Sequence, residues 1–298
     1  MKKKHIRISL SERIMTAVIC IIMLLAVLLC LYPFYYMLIY SLSDPDLARQ
    51  GVYLWPRGLN LDAYKWVLEG SDFGHAFLIS VARTVCGTAL TIFGSSLFAY
   101  LVTKQEMLGR KIIYRYVIIT MYLNAGLIPW FITMKSYHLG NTFWLYIIPG
   151  IINAYYVILI KTFIEQIPAS LEESAMIDGA GFFKIYRSII LPLSKPIIAT
   201  ITVYAAVGQW NSWQDNYFLA NVPELQTVQL ILYNTINEAQ RIADSMKSGM
   251  MNVSGAISIT SDTIRMATTV VSVVPIMLVY PFMQRYFVKG VMMGAVKG

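Results

Sequence analysis

Ionisable side chains are scarce in this sequence, in which only 13% of the residues are charged. One group of them lies between residues 172 and 195, around Gly179 and Gly181. Carboxylates and amines this close together can cap short helices or bind a charged surface on a partner. Its charged members are Glu172, Glu173, Asp178, Lys184, Arg187 and Lys195.

A second polar group, residues 208–216, surrounds two tryptophans. Amides and carboxylates bond sugar hydroxyls and indole rings stack on sugar faces, so this group is a candidate ligand contact. A structural alternative stays open, because tryptophan also marks membrane interfaces and amides also join helices. Arg83 is expected to extend its charge to the membrane surface. The candidate ligand-path residues are Trp210, Asn211, Trp213, Gln214, Asp215 and Asn216, with Tyr122, Asn124 and Asn153 as weaker candidates.

Motifs for catalysis and for nucleotide binding are missing from the sequence. It has no G-x-x-x-x-G-K-[ST] loop for ATP phosphates and no G-x-S-x-G nucleophile turn. The three histidines do not share a metal-ligand spacing. We therefore expect no catalytic residue, metal site or cofactor on this chain, and any driving energy must come from a partner or an ion gradient.

The composition places the chain among membrane proteins, since 57% of it is hydrophobic and its mean hydropathy is +0.58. A helix needs about 20 apolar residues to cross a bilayer. Six runs without charge reach about that length, and they are continuous rather than alternating in polarity, which argues against barrel strands. The runs are 14–43, 84–103, 116–134, 136–160, 196–214 and 266–284.

The basic residues give the orientation, because cytoplasmic loops of membrane proteins are rich in lysine and arginine. Most of the 24 fall in the amino end, the 104–115 loop, the 161–195 region and the tail. These segments share one side if both termini are cytoplasmic. We predict an all-α integral membrane protein with a cytoplasmic segment 1–13, a six-span domain 14–285 with a cytoplasmic loop 168–193, and a cytoplasmic tail 286–298. The predicted spans are about 14–40, 76–103, 113–133, 142–166, 195–218 and 264–285.

The loop 168–193 is predicted to contain two short helices. Pro168 ends the preceding span, and Ser170 with Glu173 has the spacing of a capping box for a helix from about Ala169 to Asp178. Gly179 or Gly181 is expected to stop this helix. Residues 182–190 are expected to form the second helix, which Leu191-Pro192 is expected to end. Its polar face toward the cytoplasm would contain Lys184, Arg187 and Ser188. Its apolar face against the spans would contain Phe182, Ile185, Tyr186, Ile189 and Ile190. Ser194 is expected to cap the next span.

These residues resemble the signature loop of permease subunits in bacterial ATP-binding-cassette importers, and residues 168–193 are named the signature loop below. That pattern is Glu-Ala-Ala, three residues, Gly, nine residues and Ile-x-Leu-Pro. This sequence has Glu173-Ser174-Ala175, Gly179, Ile189 and Leu191-Pro192 at those positions, with Ser174 as the one departure. The stretches WPRGLNLDAYKWVL, GQWNSWQDNYF and QRYFVKGVMMGAVKG extend the likeness to maltose-type carbohydrate permeases, within which it is most similar to those for complex oligosaccharides.

The resemblance implies a type I importer permease fold and a coupling role for the loop. The loop would dock into a cleft of a cytoplasmic ATPase subunit and pass its movements to the spans, and the tail would reach the same interface. The expected partners are a second, non-identical permease, two ATPase subunits that carry ATP and Mg, and an extracytoplasmic sugar-binding protein. The residues implied in coupling are Glu172, Glu173, Ser174, Ala175, Asp178, Gly179, Ala180, Leu191 and Pro192.

Three alternatives stay open on the sequence alone. An ion-coupled secondary transporter usually shows paired repeats and ionisable residues near mid-span, and neither is found. A membrane-embedded enzyme needs a catalytic cluster within the spans, which is missing. An importer permease for amino acids, peptides or phosphate would share the signature loop, and only the aromatic and amide group at 208–216 and the whole-chain likeness favour a sugar.

Overall fold

The structure is a computed structural model that describes residues 10–69, 73–247 and 261–295. Across these ranges the regular structure is helical, and the only strand-like pairing is an isolated bridge between Ser43 and Leu59. The predicted all-α class is confirmed for the described residues. The chain divides into two compact units, one containing the described parts of 1–71 and 235–271 and the other those of 72–234 and 272–298.

The first unit contains α1 (Leu10–Ser41), α2 (Pro45–Arg49) and α3 (Asp62–Glu69). Asp44 caps α2, because its Oδ1 accepts hydrogen bonds from the backbone nitrogens of Asp46 and Leu47 at 3.0 and 3.3 Å. A small core joins the end of α1 to α2. Its buried members are Ile39, Tyr40, Ala48 and Val52.

The second unit is built around α4 (Phe73–Leu101), which packs against α7 (Ala154–Ile164) and α11 (Lys195–Asn211). Its other α-helices are α5 (Arg110–Tyr122), α6 (Leu127–Ser136), α8 (Ala169–Ile177), α9 (Phe182–Ile185), α10 (Leu191–Leu193) and α12 (Gln214–Leu219). Short 3-10 turns lie at Phe143–Tyr146, Ile148–Gly150 and Pro223–Leu225. Helices α13 (Val228–Lys247) and α14 (Ser261–Ala295) contribute residues to both units.

Small and hydroxylated residues let α4 pack closely on the stretch that precedes α7. A Cβ at Gly94 would lie 2.6 Å from the carbonyl oxygen of Ile151, so only glycine fits there. Beside it, Thr91 Oγ1 donates to the carbonyl of Gly150 at 2.8 Å, and Ser95 Oγ donates to the carbonyl of Ile151 at 3.3 Å. Backbone carbonyls outside regular helices thus find donors on α4.

Three of the described helical segments are long and apolar enough to cross a bilayer: α1, α4 and Asp262–Val279 within α14. Two bent pairs raise the number to five if each pair is one span; they are Phe143–Gly150 with α7, at 44°, and Phe182–Leu193 with α11, at 83°. The predicted third span, about 113–133, is divided into α5 and α6 by the non-helical residues 123–126. The six-span count and the orientation stay predictions.

The first helix of the signature loop ends as expected. Helix α8 occupies Ala169–Ile177, and Gly179 follows it with φ +77°. The backbone nitrogen of Ala180 then donates to the carbonyl of Ala175 at 2.9 Å, which satisfies a carbonyl at the helix end. The predicted capping box is wrong, because the helix begins directly after Pro168 and makes no side-chain cap. Ser170 therefore lies inside the helix, where its carbonyl accepts from Ser174 Oγ.

The second half of the loop differs from the prediction at its end. Helix α9 continues into a π-helical turn, Tyr186–Ile190, and then into α10, so that Pro192 does not end the helical path. The backbone nitrogen of Leu191 donates to the carbonyl of Tyr186, five residues back, and this wider turn accommodates the proline. Ser194 does not cap α11, since its hydroxyl is buried without a hydrogen-bond partner among the described residues.

The last two described helices are α13 and α14. Helix α13 occupies Val228–Lys247. The predicted tail, 286–298, continues α14 as helix up to Ala295. Residues 296–298 lie outside the described part of the chain.

Candidate functional site

A cavity of about 640 Å³ lies within the second unit. It is lined by residues of α4, α6, α7, α11 and α12, by the two 3-10 turns within residues 143–150, and by non-helical residues before α6 and α7 and between α11 and α12. The polar and aromatic side chains lining it are Arg83, Thr91, Asn124, Trp130, Tyr146, Asn153, Tyr156, Gln209, Ser212, Gln214 and Asp215. This mixture of amides, hydroxyls and aromatic rings suits a ligand that carries many hydroxyl groups.

The two charged residues of the lining bind each other. Arg83 Nη1 donates to Asp215 Oδ1 at 3.0 Å, and Nη2 donates to the other carboxylate oxygen. The same guanidinium donates to Gln209 Oε1 and to the carbonyl of Ser212, both at 3.2 Å, and lies 4.5 Å from the ring centre of Tyr146. The expectation that Arg83 extends to the membrane surface is wrong, because its side chain is 3% exposed. A buried guanidinium needs such partners, and Asp215 provides the compensating charge.

Four of the candidate ligand-path residues line the cavity: Asn124, Asn153, Gln214 and Asp215. Asn153 also caps α7, where its Oδ1 accepts from the backbone nitrogen of Tyr156 at 3.2 Å. Asn124 Oδ1 accepts from the backbone nitrogen of Gly126 at 2.9 Å, in the break between α5 and α6. Both asparagines thus shape the non-helical segments of the cavity wall.

The two tryptophans of residues 208–216 lie outside the lining. Trp210 is buried, donates from Nε1 to the carbonyl of Ser272 at 3.1 Å and packs edge-on against Phe77. Trp213 stacks on Tyr233 with the ring centres 3.9 Å apart. Their indole faces are therefore engaged within the protein.

The other three candidates are also placed away from the cavity. Asn216 is fully buried, where it donates to the carbonyl of Ala220 and accepts from the backbone and hydroxyl of Thr227. Asn211 is exposed and accepts a long hydrogen bond, 3.4 Å, from Gln229. Tyr122 is 75% exposed.

A break in the helix explains why residues 208–216 separate. Helix α11 ends at Asn211 and α12 begins at Gln214, with Ser212 extended between them. A single continuous helix would have kept the group on one span. The break turns Gln214 and Asp215 toward the cavity.

Sequence reasoning missed several lining residues, including Trp130, Tyr146 and Tyr156. Tyr146 lies in a 3-10 turn and the other two lie in separate helices, so no periodicity connects them. Arg83 carried the one usable signal, since a charge within an apolar segment usually faces the protein interior.

The signature loop is attached to the end of α4 by polar contacts. The carboxylate of Glu172 pairs with the ammonium of Lys104 and accepts from the hydroxyl of Tyr100 at 3.3 Å. The Lys104 ammonium also lies 4.2 Å from the ring centre of Tyr100. Further along the loop, the hydroxyls of Tyr186 and Ser96 are hydrogen-bonded at 2.7 Å. Burial raises the pKa of the Tyr186 hydroxyl above its ordinary value.

The remaining coupling candidates form the outer side of the loop. Glu173, Ser174, Asp178, Gly179 and Pro192 are exposed, while Ala175, Ala180 and Leu191 are half-buried. Apolar side chains are exposed beside them, with Ile177 at 87% and Phe183 at 58%. On the inner side, three residues of the predicted apolar face are buried against α4, α7 and α11: Ile185, Tyr186 and Ile190. Phe182 was predicted on the same face, but it is 42% exposed.

A polar cavity inside a helical membrane chain is typical of membrane transport proteins. Among the described residues no group of three or more His, Cys, Asp or Glu side chains is placed to hold a metal ion.

Comparison with known proteins identifies the family. Residues 9–293 match the family described as "Binding-protein-dependent transport system inner membrane component", and the chain belongs to this family. The resemblance stated from the signature loop is thereby confirmed. This membership supports the importer prediction over the ion-coupled alternative.

Relatives in Bacillus subtilis (strain 168) match nearly the whole chain. The chain is 34% identical to the "Polygalacturonan/rhamnogalacturonan transport system permease protein YtcP" over 97% of its length and 100% of that protein. It is 35% identical to "Protein LplC", with 89% of each chain covered. Among solved structures, one chain of a bacterial ABC transporter involved in the import of the acidic polysaccharide alginate is similar, with a TM-score of 0.80, 31% identity, and coverage of 94% of this chain and 98% of that chain.

Proposed function

We propose that this chain is the permease subunit of an ATP-driven importer and forms half of the translocation path for an oligosaccharide. The observation that carries the proposal is the cavity of about 640 Å³, lined by amides, hydroxyls and aromatic rings, in a member of a binding-protein-dependent transport family. Small-ligand sites usually measure about 300–1,000 Å³, so the cavity has room for part of a sugar chain. A second permease would supply the other half of the path.

The charges of the cavity bear on the type of sugar. Arg83 and Asp215 are the charged residues of the described lining, and they neutralise each other. Hydrogen bonds to hydroxyl groups, rather than an unpaired charge, would therefore hold the ligand on this side. The relatives transport polygalacturonan, rhamnogalacturonan or alginate according to their names, so oligosaccharides with uronate units belong among the substrates to test.

The signature loop is proposed as the docking site for an ATPase subunit, through residues 172–192. Its outer side combines the exposed carboxylates of Glu173 and Asp178 with the exposed side chains of Ile177 and Phe183. Exposed apolar groups rimmed by charges are typical of protein interfaces. ATP and Mg would bind to the ATPase subunits and not to this chain.

The proposed arrangement in the bacterial cell membrane has six spans with both termini in the cytoplasm. The basic residues near the amino end, in the 104–115 loop, in the 161–195 region and in the tail support this orientation. A soluble sugar-binding protein would deliver the substrate from outside. A permease for a solute other than a sugar is the alternative, because the loop would be the same in both.

The first experiment is a purification from native membranes in mild detergent, followed by mass spectrometry and reconstitution. We expect a second permease and a P-loop ATPase to copurify, and to be lost when residues 173–179 are replaced. The reconstituted complex is then offered neutral and uronate-containing oligosaccharides together with its binding protein. Uptake of amino acids or phosphate, and of no oligosaccharide, would overturn the sugar assignment. Recovery of this chain alone would overturn the importer assignment.

A further inference from the structure

The ammonium of Lys104, in the turn directly after α4, forms an ion pair with the carboxylate of Glu172 in the first helix of the signature loop. The backbone nitrogen of Lys104 donates to the carbonyl of Leu101, which holds this turn against the end of α4. The two side chains are 13% and 15% exposed. Glu172 is thus turned inward, although its neighbour Glu173 points outward. The two adjacent glutamates have different surroundings, and only Glu173 is accessible to a partner.

A second contact fixes the other helix of the loop to α4. The hydroxyls of Tyr186 and Ser96 are bonded at 2.7 Å in a buried site, and the rings of Tyr100 and Tyr186 lie 5.6 Å apart. Both halves of the loop, α8 and the segment that begins with α9, are therefore bound to the same end of α4.

At its carboxyl end the loop is covalently connected to a different helix, α11. After α10 the chain bends by 83° into α11, next to a π-helical turn and to Ser194. A helix can change direction at a bend or a π-turn. A displacement of the loop is therefore transmitted less directly through such a point than through a straight, packed helix. The polar contacts to α4 offer the more rigid connection.

Helix α4 also reaches the cavity. Arg83 lies 17 residues before Tyr100 on this helix, which corresponds to about 25 Å along its axis. There Arg83 binds Asp215 and Gln209 in the cavity wall. One continuous helix thus carries Ser96 and Tyr100, which contact the loop, and Arg83, which lines the cavity.

We propose that Lys104 is a positioning residue for energy coupling: its pair with Glu172 fixes the signature loop to α4, so that a movement of the loop displaces α4 and the Arg83–Asp215 pair in the cavity. This inference rests on the proposed function. It concerns a lysine outside the signature pattern. It also assigns different roles to the two glutamates: Glu172 holds the loop in place and Glu173 faces the ATPase.

The test compares variants of Lys104 in the complete reconstituted complex. Lys104→Met removes the cation and keeps an apolar stem, and Lys104→Arg keeps the cation. Lys111→Glu is the control, because Lys111 is an exposed lysine in the first turn of α5, seven residues after Lys104. Three quantities are measured: the amount of ATPase retained, the ATP hydrolysed with binding protein and sugar, and the sugar taken up.

We expect Lys104→Met to retain the ATPase subunits but to raise the ATP consumed per sugar transported by roughly tenfold, as for other losses of coupling contacts. Lys104→Arg and Lys111→Glu should keep the wild-type ratio. A wild-type ratio for Lys104→Met would overturn the inference, and so would loss of the ATPase subunits, because Lys104 would then act in assembly.

A charge exchange tests the pair itself and covers the case in which Lys104→Met does not accumulate. Glu172→Lys and Lys104→Glu should each impair coupling, and the double variant should restore at least part of it. If the double variant is no better than the single ones, the pair is not the connection and the inference is wrong. Absence of oligosaccharide uptake by the wild-type complex would instead count against the proposed function.

Discussion

The guanidinium of Arg83 lies against the carboxylate of Asp215, 132 positions later in the chain, and this ion pair forms part of the cavity wall. It joins α4 to α12, and through Gln209 and Ser212 it also contacts the end of α11. The hydrogen bonds at this point fix where α11 stops and the chain turns into the cavity. The pair therefore connects three helices and also forms part of the cavity surface that a ligand would contact.

Removing one member of this pair should destabilise the protein. Asp215→Ala leaves the Arg83 cation buried without its partner, a change that typically costs about 3–5 kcal/mol. We expect a lower midpoint of thermal unfolding in detergent and loss of sugar uptake.

The double variant Arg83→Met/Asp215→Leu separates stability from transport. Replacing both members by apolar side chains removes the unpaired charge, so most of the thermal stability should return. Uptake should stay low, because the polar surface of the cavity is lost. Normal uptake by the double variant would show that the pair serves the fold only.

Residue types predicted the fold class and much of the signature loop, since local rules govern both. A glycine with positive φ ends α8, and spacing alone identified the buried face that contains Ile185, Tyr186 and Ile190. The local rules for helix ends gave wrong predictions at Pro192 and at Ser170. The π-turn before Leu191 carries Pro192 within the helical path, and the capping signal at Ser170 was overridden by the start of the helix at Pro168.

The cavity was largely beyond sequence reasoning for a physical reason. Its wall comes from chain segments more than a hundred residues apart, and part of it is neither helix nor strand. The group 208–216 was recognised as polar and aromatic, yet the break between α11 and α12 decides which members face the cavity. Three other members contact groups inside the protein instead: Trp210 and Asn216 donate hydrogen bonds to backbone carbonyls, and Trp213 stacks on Tyr233.

Substitution of Gly179 should affect coupling more than folding. The position has φ +77°, which costs an ordinary residue about 1–2 kcal/mol, while a new Cβ would meet nothing within 4 Å. Gly179→Leu should therefore accumulate in the membrane but distort the outer side of the loop and reduce sugar uptake. Gly181→Leu is the matched control, since Gly181 has φ −74° and equal space. Equal uptake by the two variants would argue against a role for the Gly179 conformation.

Substitution of Gly94 should affect folding directly. A Cβ there would lie 2.6 Å from the carbonyl oxygen of Ile151, and backbone cannot move aside as a flexible side chain can. We expect Gly94→Ala to cost about 1–3 kcal/mol and to lower the thermal midpoint. Gly74→Ala, on the same helix with nothing within 4 Å, should leave the midpoint unchanged or raise it slightly. A similar midpoint for both variants would contradict the close packing of α4.

Substitution of two tryptophans tests whether the sugar binds in the cavity, because one of them lines the cavity and the other lies in the protein core. Trp130 lines the cavity, whereas Trp210 is buried and bonded to the carbonyl of Ser272. Trp130→Ala should raise the KM for sugar uptake by up to about tenfold through loss of an aromatic contact, with little change in thermal stability. Trp210→Phe keeps an aromatic ring but loses the hydrogen bond, so it should cost about 1 kcal/mol of stability while the KM stays the same. The opposite result, a changed KM for Trp210→Phe and none for Trp130→Ala, would place the sugar outside this cavity.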